Sequence, residues 1–152
     1  MLDTTVYLDA FKAPGLPASI ATLVARNIVL HSAIACAGLA VSVGHLDRAH
    51  PGTAAHRAPL VEALSRMAPT RIVAPSPDAW TEAALIAGII ARIQGYQRES
   101  RREVLHDALM LLTAAEASAT LISRNVRHMD LLLRFRPGAQ VLLYDRPEAS
   151  TR

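Results

Sequence analysis

The chain has 152 residues, a length that suits one compact domain. Hydrophobic residues make up 51% of it and charged residues 19%, which excludes a disordered or low-complexity protein. The apolar runs fall short of the ~18 residues that a membrane span needs, and no signal-peptide pattern opens the chain, so we expect neither a membrane anchor nor secretion. Cys36 is the single cysteine, which excludes an internal disulfide, and a reducing, cytoplasmic location is the default expectation.

The charge balance is basic and depends almost entirely on arginine. Lysine and arginine together number 16 against 13 acidic residues, and Lys12 is the single lysine. The planar guanidinium donates well to phosphate and carboxylate, which favours a nucleic-acid or acidic-protein partner. A GC-rich genome produces the same alanine-rich and arginine-rich composition, so both explanations remain open.

Strand-like and helical segments alternate along the N-terminal half. Residues 4–9 are β-branched and aromatic and end in an acid, which predicts a buried strand with Asp9 at its end. A second short strand is predicted over residues 28–31. Helices are predicted over residues 18–26, 33–46 with Ser32 as the N-cap, and 53–67.

The C-terminal half repeats this alternation. The Ser76-Pro77-Asp78 sequence is typical of a helix start, and that helix is predicted to run to residue 93. Ser100 and Glu103 have the spacing of a capping box, which predicts a further helix from there to residue 117. We predict strands over residues 71–74, 120–123 and 140–144, and a short helix over 126–134.

Strands separated by helices predict a three-layer α/β/α sandwich with a mainly parallel central sheet over residues 1–145, followed by a polar tail over 146–152. Ligands of such sheets bind at the carboxyl ends of the strands. This rule places Asp9, Asp107 and the segment from Ser123 to Asn125 around one crevice. Converging carboxylates hold Mg²⁺ or Mn²⁺, and such an ion activates water and stabilises charge on a phosphodiester.

Several sequence blocks, in their order along the chain, resemble the PIN-domain family. Within it they resemble the virulence-associated protein C toxins of type II toxin–antitoxin pairs, and the match covers nearly the whole chain. The block that begins at Asp107 is the most specific. The blocks are VYLDA (6–10), HSAIACAGLAVSVGHLD (31–47), SPDAWTEAALIAGIIAR (76–92), DALMLLTAAEASATLISRN (107–125) and RPGAQVLLY (136–144).

The resemblance implies a small nuclease that cuts RNA with Mg²⁺ or Mn²⁺ held by acidic residues. It implies a cognate antitoxin partner and a homodimer as well. Asp9 matches the first acid of the family, and Asp107 matches the acid of its DA-x-x-x-x-T-A pattern. Both are therefore expected to be catalytic and, together with Asp130, to bind the metal.

The chain departs from the family pattern at several positions. Gly38 stands where a glutamate is usual, His128 stands where an acid is frequent, and the usual hydroxyl residue and asparagine after the first acid are Ala10 and Phe11. Glycine removes both a charge and an oxygen ligand, and histidine suits Mn²⁺ or proton transfer better than Mg²⁺. Two carboxylates still suffice for Mg²⁺ when water and substrate phosphate complete its coordination.

Two functions therefore remain open. One is a metal-dependent ribonuclease toxin that an antitoxin silences, and the other is a PIN-like protein with a decayed site that still binds RNA or an antitoxin. Ser123, Asn125 and His128 are further site candidates, although each also has an ordinary structural explanation. The same choice applies to the RNA-binding candidates, which are either phosphate contacts or solvated cations: Arg98, Arg101 and Arg102.

Overall fold

The computed structural model of the protein describes residues 1–12, 14–47, 49 and 52–145, and the predicted polar tail lies outside these ranges. Within them the chain forms the helices α1 (Thr4–Ala10), α2 (Ala18–Arg26), α3 (Ala33–His45), α4 (Thr53–Arg66), α5 (Pro77–Gln94), α6 (Arg98–Glu116) and α7 (Val126–Leu133). A 3₁₀ turn covers Pro69–Arg71. The strands are β1 (His31–Ser32), β2 (Ile72–Val73), β3 (Leu121–Ser123) and β4 (Val141–Leu143).

The strands are short, and their described pairings are all parallel. β1 pairs with β2, and β3 pairs with β4. Leu2 joins the two pairs because it bridges His31 on one side and Ile122 on the other. The order across the sheet is therefore β2, β1, Leu2, β3, β4. Parallel neighbours need helical crossovers, and this arrangement confirms the predicted α/β class.

The predicted strand over residues 4–9 is wrong, because this segment is helix α1. The side chain of Asp3 accepts the backbone N–H of Thr5 and caps the helix. Only Leu2, just before that cap, joins the sheet. The β-branched residues favour a strand, but β propensity is weak when a capping acid and a buried helix face oppose it. Asp9 therefore ends a helix instead of a strand.

The other elements follow the predicted order closely. Ser32 and Ser76 cap α3 and α5 with their side-chain oxygens, as predicted. The capping box at Ser100 is wrong, because α6 already begins at Arg98. Gly95 ends α5 in the left-handed conformation, so the chain turns early enough for α6 to start before Ser100.

Helix α6 forms the centre of the core and packs against α5, and residues 107–114 in its second half are buried. Apolar side chains from β3 and α7 contact it, and the fully buried residues include Leu109, Leu111, Leu121, Met129 and Leu132. Each buried side chain of this size stabilises the fold by about 1.5–3 kcal/mol. Asp107 is thus a buried carboxylate on the central helix of the core. Among the described residues, no helix has the length and hydropathy to cross a membrane.

Candidate active site

Asp3 lies at the carboxyl edge of the parallel sheet, directly after Leu2. Its carboxylate is buried, with 2% of the residue exposed. The hydroxyl of Ser123, at the end of the neighbouring strand β3, donates to Oδ2 of Asp3, and Thr5 Oγ1 donates to the same oxygen at 3.1 Å. Two adjacent strand ends therefore meet at this acid.

Asp107 reaches the same edge from helix α6 and is also buried. Its Oδ2 accepts a hydrogen bond from the side-chain amide of Asn125 at 2.7 Å, and Nδ1 of His128 lies 2.6 Å from it. Both contacts use a single oxygen, and the two partners belong to the cap and the first turn of α7. The helix that follows β3 thus holds the acid of α6 in place.

Asn125 links the two acids through side-chain and backbone bonds. Its backbone N–H donates to Ser123 Oγ at 3.0 Å, and its side-chain oxygen accepts the backbone N–H of His128 at 3.3 Å. A continuous network consequently runs from Asp3 through Ser123 and Asn125 to Asp107. The structure brings together four of the predicted candidates: Asp107, Ser123, Asn125 and His128.

The two carboxylates influence each other electrostatically. The pKa of Asp107 is raised to about 6, chiefly by burial; the hydrogen bond with His128 opposes this shift, and the charges of Asp3 and Glu103 add to it. Burial also raises the pKa of Asp3, and hydrogen bonds from Ser123 and Thr5 partly offset this. Paired buried acids with raised pKa values are frequent at functional sites, because a cation or a proton must balance their charge.

Asp3 and Asp107 are the carboxylates that this edge of the sheet offers to a divalent cation. Among the residues that the structure describes, no set of three or more His, Cys, Asp or Glu side chains is arranged as a metal site. Mg²⁺ commonly binds to proteins through one or two carboxylates and keeps several waters. The residues that would bind it are Asp3 and Asp107.

Gly38 of α3 lies against Thr4, the residue after Asp3, at the position where the resemblance expects a glutamate. A Cβ atom added to Gly38 would lie 3.1 Å from Thr4 Oγ1 and 3.4 Å from Thr4 Cγ2. Thr4 follows Asp3 directly, so a carboxylate from this position would have to pass Thr4 to reach the site. The charge of the expected glutamate is therefore missing, and Thr4 restricts the space for it.

Asp9 makes its hydrogen bonds elsewhere. Its Oδ2 accepts from Nε of Arg124 at 2.6 Å and from the hydroxyl of Tyr144 at 3.0 Å. The strand end that was expected to bring Asp9 to the crevice does not exist, because the residue closes α1. The acid at the sheet edge is Asp3, six residues earlier.

The remaining candidates lie on the surface. Asp130 forms an exposed ion pair with Arg134 on the same helix, and 64% of its side chain is accessible. This contact leaves the predicted metal role of Asp130 without structural support. The three arginines predicted to bind RNA occupy the first two turns of α6 and are exposed: Arg98, Arg101 and Arg102. Nε of Arg101 donates to the backbone carbonyl of Tyr96 at 2.8 Å, and phosphate binding by these arginines stays a prediction.

Sequence reasoning missed Asp3, although a signal was present. Asp3 is followed by Thr4 and Thr5, whereas Asp9 is followed by Ala10 and Phe11. The family pattern expects a hydroxyl residue directly after its first acid, and Asp3 meets that condition. The earlier acid was overlooked because the run from Thr4 to Asp9 has the composition of a strand.

Comparisons with known proteins support the fold. No model of a protein family matches the chain, and no curated protein matches it. Solved structures do match. A chain in the structure of FitAB bound to an IR36 DNA fragment aligns with a TM-score of 0.66 and 18% identity, over 97% of this chain and 98% of that chain.

Two further structures are similar. VapBC2 from Rickettsia felis, bound to a DNA fragment from their promoter, aligns with a TM-score of 0.59 and 20% identity over 95% of this chain and 98% of that one. VapBC-1 from nontypeable Haemophilus influenzae aligns with a TM-score of 0.60 and 17% identity, over 94% of this chain and 96% of that one. The chain therefore has the PIN-like α/β fold of these proteins over almost its whole described length, as the sequence predicts.

Proposed function

We propose that this protein is the toxin component of a toxin–antitoxin pair and hydrolyses RNA phosphodiester bonds with Mg²⁺ or Mn²⁺. The observation on which this rests is the hydrogen-bond network that links Asp3 and Asp107 through Ser123 and Asn125 at the carboxyl edge of the sheet. These buried acids come from opposite halves of the chain. The fold neighbours in the FitAB and VapBC complexes support the same assignment.

The chain's own groups prepare the site for this chemistry. Asn125 and His128 orient the carboxylate of Asp107, and Ser123 and Thr5 orient that of Asp3. A divalent cation bound by the two acids would supply an activated water and charge neutralisation at the phosphate. The four positioning groups fix both carboxylates before substrate arrives, which lowers the entropic cost of assembling the site.

The proposed ribonuclease is a weak one. Gly38 and His128 leave the site with fewer negative charges than the family pattern provides, and the affinity for a cation of charge +2 depends largely on ligand charge. We therefore expect millimolar rather than micromolar metal affinity and slow cleavage.

The partners follow from the same proposal. FitAB and VapBC are complexes by their names, and we propose that this chain likewise binds a cognate antitoxin, forms a homodimer and acts on RNA in the cytoplasm. Co-expression with the product of a short neighbouring reading frame, followed by co-purification, tests the antitoxin. Light scattering of the purified chain at micromolar concentration tests the dimer.

A second candidate function is a PIN-like binding protein without catalysis. The observation that favours it is that the carboxylate of Asp107 already has partners within the protein, because its Oδ2 contacts Asn125 and His128. In this case the network replaces the cation, and the protein binds RNA or an antitoxin without cutting.

Cleavage of a labelled single-stranded RNA by the purified protein, with Mg²⁺, Mn²⁺ or a chelator, distinguishes the two. The ribonuclease requires the metal and loses at least about a hundredfold in rate in Asp3→Asn and Asp107→Asn, since each change keeps the shape and removes a charge. Glu62→Gln, an exposed change on α4, serves as the control. Absence of cleavage and of metal binding supports the second candidate, and full cleavage in chelator contradicts the proposed metal chemistry.

A further inference from the structure

Arg124 occupies the border of the candidate active site without belonging to its acidic network. It lies between Ser123 and Asn125, which both contact the acids. Its backbone N–H donates to Thr5 Oγ1 at 3.2 Å, and the same hydroxyl donates to Asp3. The backbone of Arg124 is thus fixed between Ser123, which contacts Asp3, and Asn125, which contacts Asp107.

A buried acid, Asp9, holds the side chain of Arg124 through an ion pair. Nε of Arg124 lies 2.6 Å from Oδ2 of Asp9, and Tyr144 donates its hydroxyl to that oxygen. Asp9 is 1% exposed, whereas 41% of the Arg124 side chain is accessible. Burial, together with the contact to Asp9, raises the pKa of Tyr144, which therefore remains a neutral donor.

This arrangement determines which part of the guanidinium is available. A buried carboxylate without a partner is strongly destabilising, so Asp9 keeps Arg124 in this orientation. Nε is one of five N–H donors on the group, and it makes the bond to Asp9. Among the described residues the two terminal nitrogens make no hydrogen bond, so their donors remain for a ligand at the accessible end.

The position of this cation relative to the acids suits an RNA backbone. Thr5 and Asp9 are one turn apart on the same face of α1, a rise of about 6 Å. Thr5 contacts Asp3 and Asp9 contacts Arg124, so the guanidinium lies roughly one helical turn from the carboxylate of Asp3. Buried carboxylates repel a phosphodiester, and a fixed cation beside them offsets that repulsion.

We infer that Arg124 is a phosphate-positioning residue, whose terminal N–H groups bind a phosphodiester oxygen of single-stranded RNA beside Asp3 and Asp107. The inference rests on the proposed function, because it takes RNA as the ligand. Asp9 and Tyr144 act through Arg124 by holding its guanidinium. A lysine cannot reproduce this role, because its three donors share one nitrogen, whereas Nε of arginine binds Asp9 while its terminal nitrogens bind phosphate.

The bond between Arg124 and Asp9 also connects the segment after β3 to α1. The experiment must therefore separate this structural role from RNA binding. We suggest measuring the Kd of the full chain for a fluorescent single-stranded RNA in EDTA, by anisotropy, over a range of NaCl concentrations. EDTA removes metal-dependent cleavage, so binding is measured whether or not the protein is a nuclease.

Arg124→Gln should raise the Kd about tenfold. It should also reduce the slope of log K against log salt by about 0.7, the amount expected for one lost phosphate contact to a single strand. Arg124→Lys should keep the slope while the Kd rises by a smaller factor. Asp9→Asn should behave like Arg124→Lys, because the charge remains and its orientation is lost.

The matched control is Arg66→Gln, which removes an exposed arginine that pairs with Glu62 on α4. A purely structural tie would lower the unfolding midpoint of the Arg124 and Asp9 variants and leave Kd and slope at native values, which overturns the inference. If Arg124→Gln does not fold, unchanged Kd values in both Arg124→Lys and Asp9→Asn overturn it equally. If the native protein does not cleave RNA but Arg124→Gln still weakens RNA binding, the proposed nuclease function is contradicted and the inference about Arg124 is supported.

Discussion

Nδ1 of His128 lies 2.6 Å from Oδ2 of Asp107, which precedes it by 21 residues. The resemblance expects an acid at position 128. In this protein the position holds a histidine, whose imidazole contacts the carboxylate of Asp107. His128 is buried, and its ring lies beside that of Tyr96 with 6.0 Å between the centroids. The contact fixes the direction of the Asp107 carboxylate and adds no negative charge, which makes the charge of Asp3 decisive for the site.

The raised pKa of Asp107 predicts how stability depends on pH. Burial, opposed by the hydrogen bond with His128 and aided by the charges of Asp3 and Glu103, raises it from 3.8 to about 6. The folded state therefore binds a proton that the unfolded chain has already lost between about pH 4 and pH 6. The free energy of unfolding should fall as pH rises through this window, by an amount on the order of 3 kcal/mol.

Urea denaturation in EDTA between pH 4 and pH 7.5 measures this effect. Asp107→Asn should reduce the slope, because the variant has no proton to lose at that position; the raised pKa of buried Asp3 contributes the slope that remains. Asp130→Asn should keep the native slope, because the Asp130 side chain is largely exposed. An unchanged slope in Asp107→Asn would contradict the assignment of the effect to this acid.

Divalent cations should stabilise the protein more at neutral than at acidic pH. A ligand that binds the folded state raises its stability, and Mg²⁺ or Mn²⁺ must compete with the proton on Asp107. We expect the unfolding temperature to rise by a few degrees with 10 mM of either ion at pH 7.5 and to stay nearly constant at pH 5, about one unit below that pKa. Asp3→Asn should remove the response at pH 7.5. A native protein without any response would favour the metal-free binding function.

The sequence predicts most of the fold and several of the residues that the structure brings together around Asp107. Regular helical periodicity and capping residues locate α2, α3, α5 and α7, and the block around Asp107 indicates its partners Asn125 and His128. Asp3 could not be found by composition, because Thr4, Thr5 and Val6 favour a strand that the capping bond of Asp3 overrides. From sequence alone, the first acid of the family pattern is therefore assigned to Asp9, six residues after Asp3.

The metal role of Asp130 stays a prediction, and the geometry of α7 places its side chain away from that of His128. Two residues along a helix correspond to a rotation of about 200°, so a side chain at 130 faces away from one at 128. His128 is buried against Asp107, and Asp130 consequently points to solvent, where it pairs with Arg134. Only the three-dimensional arrangement of α6 and α7 distinguishes the two positions.

Asp130→Asn should accordingly have little effect on metal binding, RNA cleavage or stability. An exposed ion pair four residues apart on a helix contributes roughly 0.3–0.5 kcal/mol, and its loss changes no contact of Asp107. Calorimetric titration with Mn²⁺ and the RNA cleavage assay should give values within about twofold of the native protein's, an expectation that follows from the near-zero worth of such pairs. A large loss in either assay would show that Asp130 reaches the site and would restore the sequence-based prediction.

Restoring the missing charge at Gly38 is the most direct test of the proposed metal site. Gly38→Glu adds a carboxylate beside Asp3, and Thr4 limits its space, since Thr4 Oγ1 would lie 3.1 Å from the new Cβ. The double variant Gly38→Glu/Thr4→Ala removes both close atoms of Thr4 and should bind Mn²⁺ about tenfold more tightly than native protein, because ligand charge sets the affinity. Gly38→Gln/Thr4→Ala has the same size without the charge and should show no gain. Equal gains in both double variants would mean that packing, and not charge, limits the site, and the assignment of Asp3 and Asp107 as metal ligands would then be wrong.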